Sequence, residues 1–153
     1  MNINSGYFQI PTLGGLLQAI DRHRNPYCNK SNTVLRNTPV EVRWTDRAGL
    51  ALSNLTSPLT VEMQVYFTCV VKKRVLFHEQ NDQQATPVTG QLQILFNVVE
   101  STSCDPVEFA NNFPVKRVFE SPAAQKMKPS ALEIDYKDGH WSGLFFIGSS
   151  NSS

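Results

Sequence analysis

The sequence predicts an α+β, strand-dominated single domain. The expected core is one strongly curved or partly closed antiparallel sheet, with an N-terminal helix and two short helices ahead of a C-terminal β-hairpin. Three patterns carry that expectation. From Leu59 to Val71 (LTVEMQVYFTCVV) every odd position is apolar and the even positions are mostly polar, the period of a strand with one dry and one wet face. Asp138-Gly139 separates the runs Leu132–Tyr136 and Trp141–Ile147, and Asp-Gly suits a type I′ hairpin turn, which needs positive φ at both positions. Leu13, Leu16, Leu17 and Ile20 recur at helical spacing, which marks one apolar stripe.

Taken in order, the first helix is expected over 12–24. Thr12 can cap its start, and Asn25-Pro26 ends it because the residue before proline avoids the helical region. Gly14-Gly15 weakens it by about 1 kcal/mol per glycine relative to alanine, so packing must hold it down, as a lid or core filler. Residues 25–32 read as a polar loop, Val34-Leu35 and Val40–Trp44 as short strands, and Asp46–Gly49 as a turn, with Asp and Gly at the favoured positions. Lys72-Lys73-Arg74 then interrupts the long strand before Val75, Phe77 and His78. A continuous strand over 59–78 would be roughly 66 Å long at ~3.3 Å per residue, far beyond ordinary strands. A bulge or sharp bend near Lys73 is preferred to a hairpin, since no Gly or Asn there supplies positive φ.

Residues 79–90 (EQNDQQATPVTG) form a polar loop. Gln91 to Glu100 is a strand with Leu92, Ile94, Phe96 and Val98 on one side and Leu95 and Val99 on the other. Asp105-Pro106-Val107-Glu108 opens a short helix (106–112) by cap-then-proline logic, and Ser121-Pro122 repeats it for a second (122–128). A two-residue loop at Asp138-Gly139 sets Tyr136 opposite Trp141, an aromatic pair that pins the register. The tail over 148–153 is small and polar and is expected to fray.

At 153 residues the chain fits one domain and can bury a core without metal or disulfide staples. A net charge of +1 supplies no global field for a polyanion, so a general nucleic-acid binder is disfavoured. Cys28, Cys69 and Cys104 are odd in number and widely spaced, unlike a secreted disulfide framework. The N-terminus has no charged leader with an apolar stretch, and no apolar run approaches the ~20 residues that span a bilayer. A cytoplasmic protein without membrane attachment is the expectation, and the sequons at Asn29, Asn54 and Asn151 then carry no weight.

No cofactor or metal is expected. His23, His78 and His140 lack the close spacing of a zinc site, and Gly14-Gly15 follows no strand that would make it a phosphate cradle. Cys104 just ahead of a helix start would have a lowered pKa, so Cys104 with His78 or His140 is a conceivable nucleophile and base. An ordinary loop cysteine is the simpler reading. Arg22-His23-Arg24, Lys72-Lys73-Arg74, Lys116-Arg117 and Lys126-x-Lys128 beside Trp44, Tyr66 and Tyr136 supply ingredients of a single-strand nucleic-acid platform. A charge run on a strand is more simply a guarded sheet edge.

The leading functional expectation is a small non-enzymatic binding or adaptor module, engaging a protein partner or an apolar small molecule through its curved sheet. Aromatic residues dominate interface energetics, so Trp44, Tyr66, Tyr136, Trp141, Phe145 and Phe146 are the expected binding residues, with the last hairpin as anchor. No residue is assigned a catalytic role. The alternative is a small enzyme with a pocket between helix 12–24 and the sheet, where two of Asp21, His78, Asp135 and His140 converge. A structural subunit of a larger assembly, or a homo-oligomer, is the third reading.

Overall fold

In the computed structural model, which describes residues 13–67, 71–100, 117–118 and 127–148, the chain builds two sheets around one shared core. The elements are helix α1 (Leu13–Arg24), strands β1 (Asn29–Leu35) and β2 (Thr38–Trp44), helix α2 (Asp46–Ser53), and strands β3 (Leu59–Phe67), β4 (Val71–His78), β5 (Thr86–Thr89), β6 (Leu92–Glu100), β7 (Arg117–Val118), β8 (Lys128–Lys137) and β9 (His140–Gly148). The first sheet runs β1-β2-β8-β9 and the second β4-β3-β6-β5, with β7 paired to β6 farther along than β5.

Strand dominance and the α+β class agree with the sequence, but the expected single antiparallel sheet, strongly curved or partly closed, is replaced by two open ones. Each also contains a parallel pair, β2 with β8 and β3 with β6. Alternation reports which side of a strand is apolar; it does not report which strand lies beside it. Two sheets solve the burial problem differently from one curled sheet, by covering each other. Val40, Val42, Leu132, Ile134 and Phe145 of the first meet Val61, Met63, Val65, Ile94 and Phe96 of the second in one cluster, and Phe96 and Phe145 sit edge to face at 6.2 Å. The sheets approach closely at Gly143, where an added Cβ would lie 3.0 Å from Phe77 Cζ and 3.1 Å from Val75 Cγ1.

Several expectations of detail change. The stretch from 59 to 78 is a hairpin, not a bent strand: β3 and β4 pair antiparallel with Phe67 opposite Val71. The even positions of β3 are not a wet face, because Thr60, Glu62, Gln64 and Tyr66 are all buried. Glu62 and Gln64 bond to each other and to His78, Arg74 and Asn97 of the neighbouring strands, Thr60 bonds to Gln80 and Gln93, and the Tyr66 ring packs under Arg74. Asn29–Asn32, read as loop, pairs with β2 through a tight turn at Arg36-Asn37, both at positive φ. Asp46–Gly49 is not a turn but the start of α2. Thr45 caps it by accepting from Ala48 N, while Ala48 and Leu52 are buried. The terminal hairpin is as expected, with Asp138 and Gly139 at φ of 52° and 79° and Tyr136 opposite Trp141. The helix expected over 106–112 and the tail after Gly148 lie outside the described residues. So does most of the helix expected over 122–128, whose last residue, Lys128, instead opens β8.

Candidate functional site

The candidate site is the junction of α1, α2 and the outer side of the first sheet. On β8, Leu132 and Ile134 point into the core, so the alternation of a strand turns Asp135 outward. Helix α1 lies over it with Gly15, Gln18, Ala19 and Arg22 lining the cleft, whose other wall is Arg47, Asp135, Lys137 and Ser142 and whose volume is about 510 Å³. Those four helical positions are spaced by three and four residues, so they form a single stripe. α1 therefore faces the sheet across this cleft with a small and polar side, of which Gln18, Ala19 and Arg22 stay exposed.

Arg47, in the first turn of α2, ties the three elements together. Its guanidinium donates from Nε and Nη2 to Asp135 at 2.8 and 2.6 Å, and from Nη1 and Nη2 to Asp21 of α1 at 3.0 and 2.7 Å. Arg22 Nη2 adds 3.2 Å to Asp135, and Lys137 Nζ stands 3.6 Å from Asp21. Thr45 Oγ1 donates to Asp135 at 2.6 Å while capping α2, and Tyr136 N donates to the same carboxylate oxygen at 2.8 Å. Burial alone would favour the protonated form of Asp135, but the donors from Arg47, Thr45 and Tyr136 outweigh it and hold the carboxyl well below its usual range. The Arg47 hydrogen bond lowers Asp21 too, and the two carboxylates raise Arg47 in return.

The sequence reading placed an enzyme's acid and base between helix 12–24 and the sheet, and Asp21 and Asp135 do converge there. His78 and His140 do not. Both carboxylates are ionised and occupied by donors, so neither has a proton to give near neutral pH, and neither can take one without breaking the joint. The arrangement holds elements together.

The opposite stripe of α1 faces away from the molecule. Leu16, Leu17 and Ile20 are 46%, 57% and 41% exposed, and Leu50 of α2 is 66% exposed. Leu50 borders a second groove of about 510 Å³ with Asp21, Arg47, Ala51, Asn54, Tyr136, Lys137 and Asp138. The leucines were legible as a helix stripe, but the sequence reading turned them inward. The missed signal is Gly15-Gln18-Ala19-Arg22, a second stripe that is small and polar and ends in the cation that reaches Asp135.

A separate cleft of about 390 Å³ opens on the outer side of the second sheet, lined by Thr60, Glu62, His78, Gln80, Asn81, Asp82 and Leu95. Its floor is Glu62, which accepts from Gln64, from Asn97 Nδ2 at 2.9 Å and from His78 Nε2 at 3.2 Å. Thr60 donates to Gln80 O at 2.8 Å, and Gln93 donates to Thr60 and to Asp82 O. These bonds pin the connection after β4 across the sheet. Among the described residues no group of three His, Cys, Asp or Glu side chains could hold a metal.

The six expected binding residues divide. Tyr66 and Phe145 are buried. Tyr66 lies under the Arg74 guanidinium at 4.2 Å, which leaves its ring no open side for a stacked base. Trp44 is half-buried against the core. Tyr136 and Trp141 lean together at 4.7 Å, and Trp141 also stacks on Phe77 at 6.0 Å. Phe146, 39% exposed, and Leu144 remain on the outer side of β9. Cys28 is exposed, and its hydrogen bond to Asp46 raises its pKa, the reverse of an activated thiol. Cys69 and Cys104 lie outside the described residues.

No family model, curated protein or solved structure matches this chain. No helix among the described residues is long and apolar enough to cross a membrane.

Proposed function

We propose that this protein is a small non-enzymatic binding module that engages a protein partner through the outward side of α1 and Leu50 of α2. One observation carries the reading: α1 is tied down through Asp21 and Arg22 and leaves Leu16, Leu17 and Ile20 exposed on its other side. Apolar surface is ordinarily buried because its removal from water contributes about 25 cal/mol per Å², and a helix free to rotate would turn its leucines toward the core. Arg47, Asp21, Arg22 and Asp135 fix the opposite orientation. Exposed apolar side chains on a helix anchored by a dedicated polar joint are the form a recognition site takes. The enzyme reading has less support, since the convergent carboxylates are committed to Arg47.

The test is a Leu17→Asp/Ile20→Asp double variant, compared with wild type for thermal unfolding and for quantitative recovery of partners by affinity capture. Both side chains are exposed, so the unfolding curve should not move while specific partners are lost. Full retention of every partner by the folded variant would refute the assignment. Phe146→Asp serves as a comparison on the sheet itself.

A further inference from the structure

We infer that the partner presents an acidic amphipathic segment to α1: an aliphatic seam that ends in a carboxylate set against Arg24. This deepens the binding reading above and rests on it. The warrant is the charge pattern around the outward stripe. Arg24 follows Leu17 by seven residues and Ile20 by four, and His23 follows Leu16 by seven, so both continue the stripe at its C-terminal end. Both are exposed, and neither has an ion pair among the described residues. Arg22 and Asp21, by contrast, turn toward Asp135 and Arg47. The outward side is therefore aliphatic and cationic with no carboxylate of its own, and α1 has no acidic residue in its first turn.

A second copy of this chain pairing through the same surface would offer Arg24 no carboxylate at either end of its helix, since α1 has no acidic residue in its first turn and ends in Arg22, His23 and Arg24. An anionic lipid surface would need cations around the helix as well as on it. The adjoining groove instead balances Arg47 and Lys137 with Asp21 and Asp138, and the whole chain carries only +1. An acidic protein segment satisfies the leucines and Arg24 together. It meets the groove through its apolar seam, so Asp138 need not face its carboxylates.

The experiment uses the full-length protein and two synthetic amphipathic peptides of about 18 residues, five helical turns. They share one leucine seam, flanked by Glu in one peptide and Lys in the other. Binding is read by fluorescence anisotropy at low and high salt. Vesicles of phosphatidylcholine with phosphatidylserine form a third arm. The Glu peptide should bind about fivefold tighter than the Lys peptide, the scale of one surface ion pair, and high salt should erase the difference. Arg24→Glu should reverse the order and Arg24→Lys should keep it. Equal affinity for both peptides, lost in Leu17→Asp/Ile20→Asp, would overturn the acidic partner and leave the binding surface standing. Peptide binding that survives the double variant, or binding to neither peptides nor vesicles, would overturn the surface itself. Vesicle binding with neither peptide bound would replace the protein segment with lipid.

Discussion

Arg47 shares one guanidinium between Asp135, almost wholly buried, and Asp21, a quarter exposed. Removing one partner of a buried pair costs more than the pair contributes, because the remaining charge is left without compensation. Arg22 and Thr45 would still serve Asp135, and Arg47 is itself partly solvated. Arg47→Ala should therefore destabilise the fold by about 2 kcal/mol, short of the ~3–5 kcal/mol of a fully buried pair, measured by urea unfolding. The pH dependence has a definite sign. The ordinary Asp value is 3.8, and Asp135 lies well below it when folded, so the unfolded chain takes up the proton first. The resulting stability is full above the ordinary carboxylate range and is lost as pH falls through it toward the folded value. Wild type should lose stability steeply below about pH 4; Arg47→Ala should lose less over the same interval, and an equal slope would show that Arg47 does not set the Asp135 pKa. At Gly143 the constraint is steric. A methyl group would press on Phe77 and Val75 across the core and stand 3.3 Å from Glu133 O. Gly143→Ala should cost about 1–3 kcal/mol, the range for overpacking, while Asp135 keeps its titration.

At the scale of elements, the same residue patterns that made some strands legible hid others. Alternation at Val40–Trp44 and Leu92–Val98 marks strands because the neighbouring sheet takes one side of each. The Asp138-Gly139 turn is legible because its backbone requires positive φ. Asn29–Asn32 and Thr86–Thr89 have little apolar content, so only pairing makes them strands. α2 was hidden because Asp46 and Gly49 suit a turn as well as a helix; Thr45 at the cap and the i, i+4 pair Ala48 and Leu52 were the discriminating signals. The Lys72-Lys73-Arg74 run does lie on an edge strand, where a charge run is expected to discourage pairing. β4 and β9 are edge strands of their sheets, and Lys73 Nζ donates to Phe145 O of β9 at 3.0 Å. That ammonium occupies an acceptor that an incoming strand would use. Lys73→Ala should expose it and produce concentration-dependent association in sedimentation velocity, with the monomer still folded by circular dichroism. A variant that stays monomeric at every concentration would assign the guard to some other feature of β9.

For the whole molecule, the two sheets and α1 are held by different physics. The sheets share an apolar core whose strength does not depend on ionic strength, and β3 and β6 lie in its centre with both neighbours paired. α1 rests on Arg47, Asp21, Arg22 and Lys137, several of them partly exposed, while Leu16, Leu17 and Ile20 stay exposed. At twelve residues with two glycines it is marginal as an isolated helix. This division was invisible in the sequence, because a leucine stripe reads the same whether it faces in or out; only the partners of Asp21 and Arg22 decide. The consequence is a two-tier response to salt. Screening weakens exposed ion pairs, with a Debye length that falls from about 10 Å at 0.1 M to about 3 Å at 1 M. Amide hydrogen exchange should therefore show α1 opening independently of the sheets, at least about a hundredfold faster than β3, which corresponds to ~2.7 kcal/mol. Raising salt from 0.1 to 1 M should speed exchange in α1 several-fold and leave β3 and β6 unchanged. Protection of α1 equal to that of β3, insensitive to salt, would mean that apolar packing holds the helix, and its outward leucines would then no longer be a surface available to a partner.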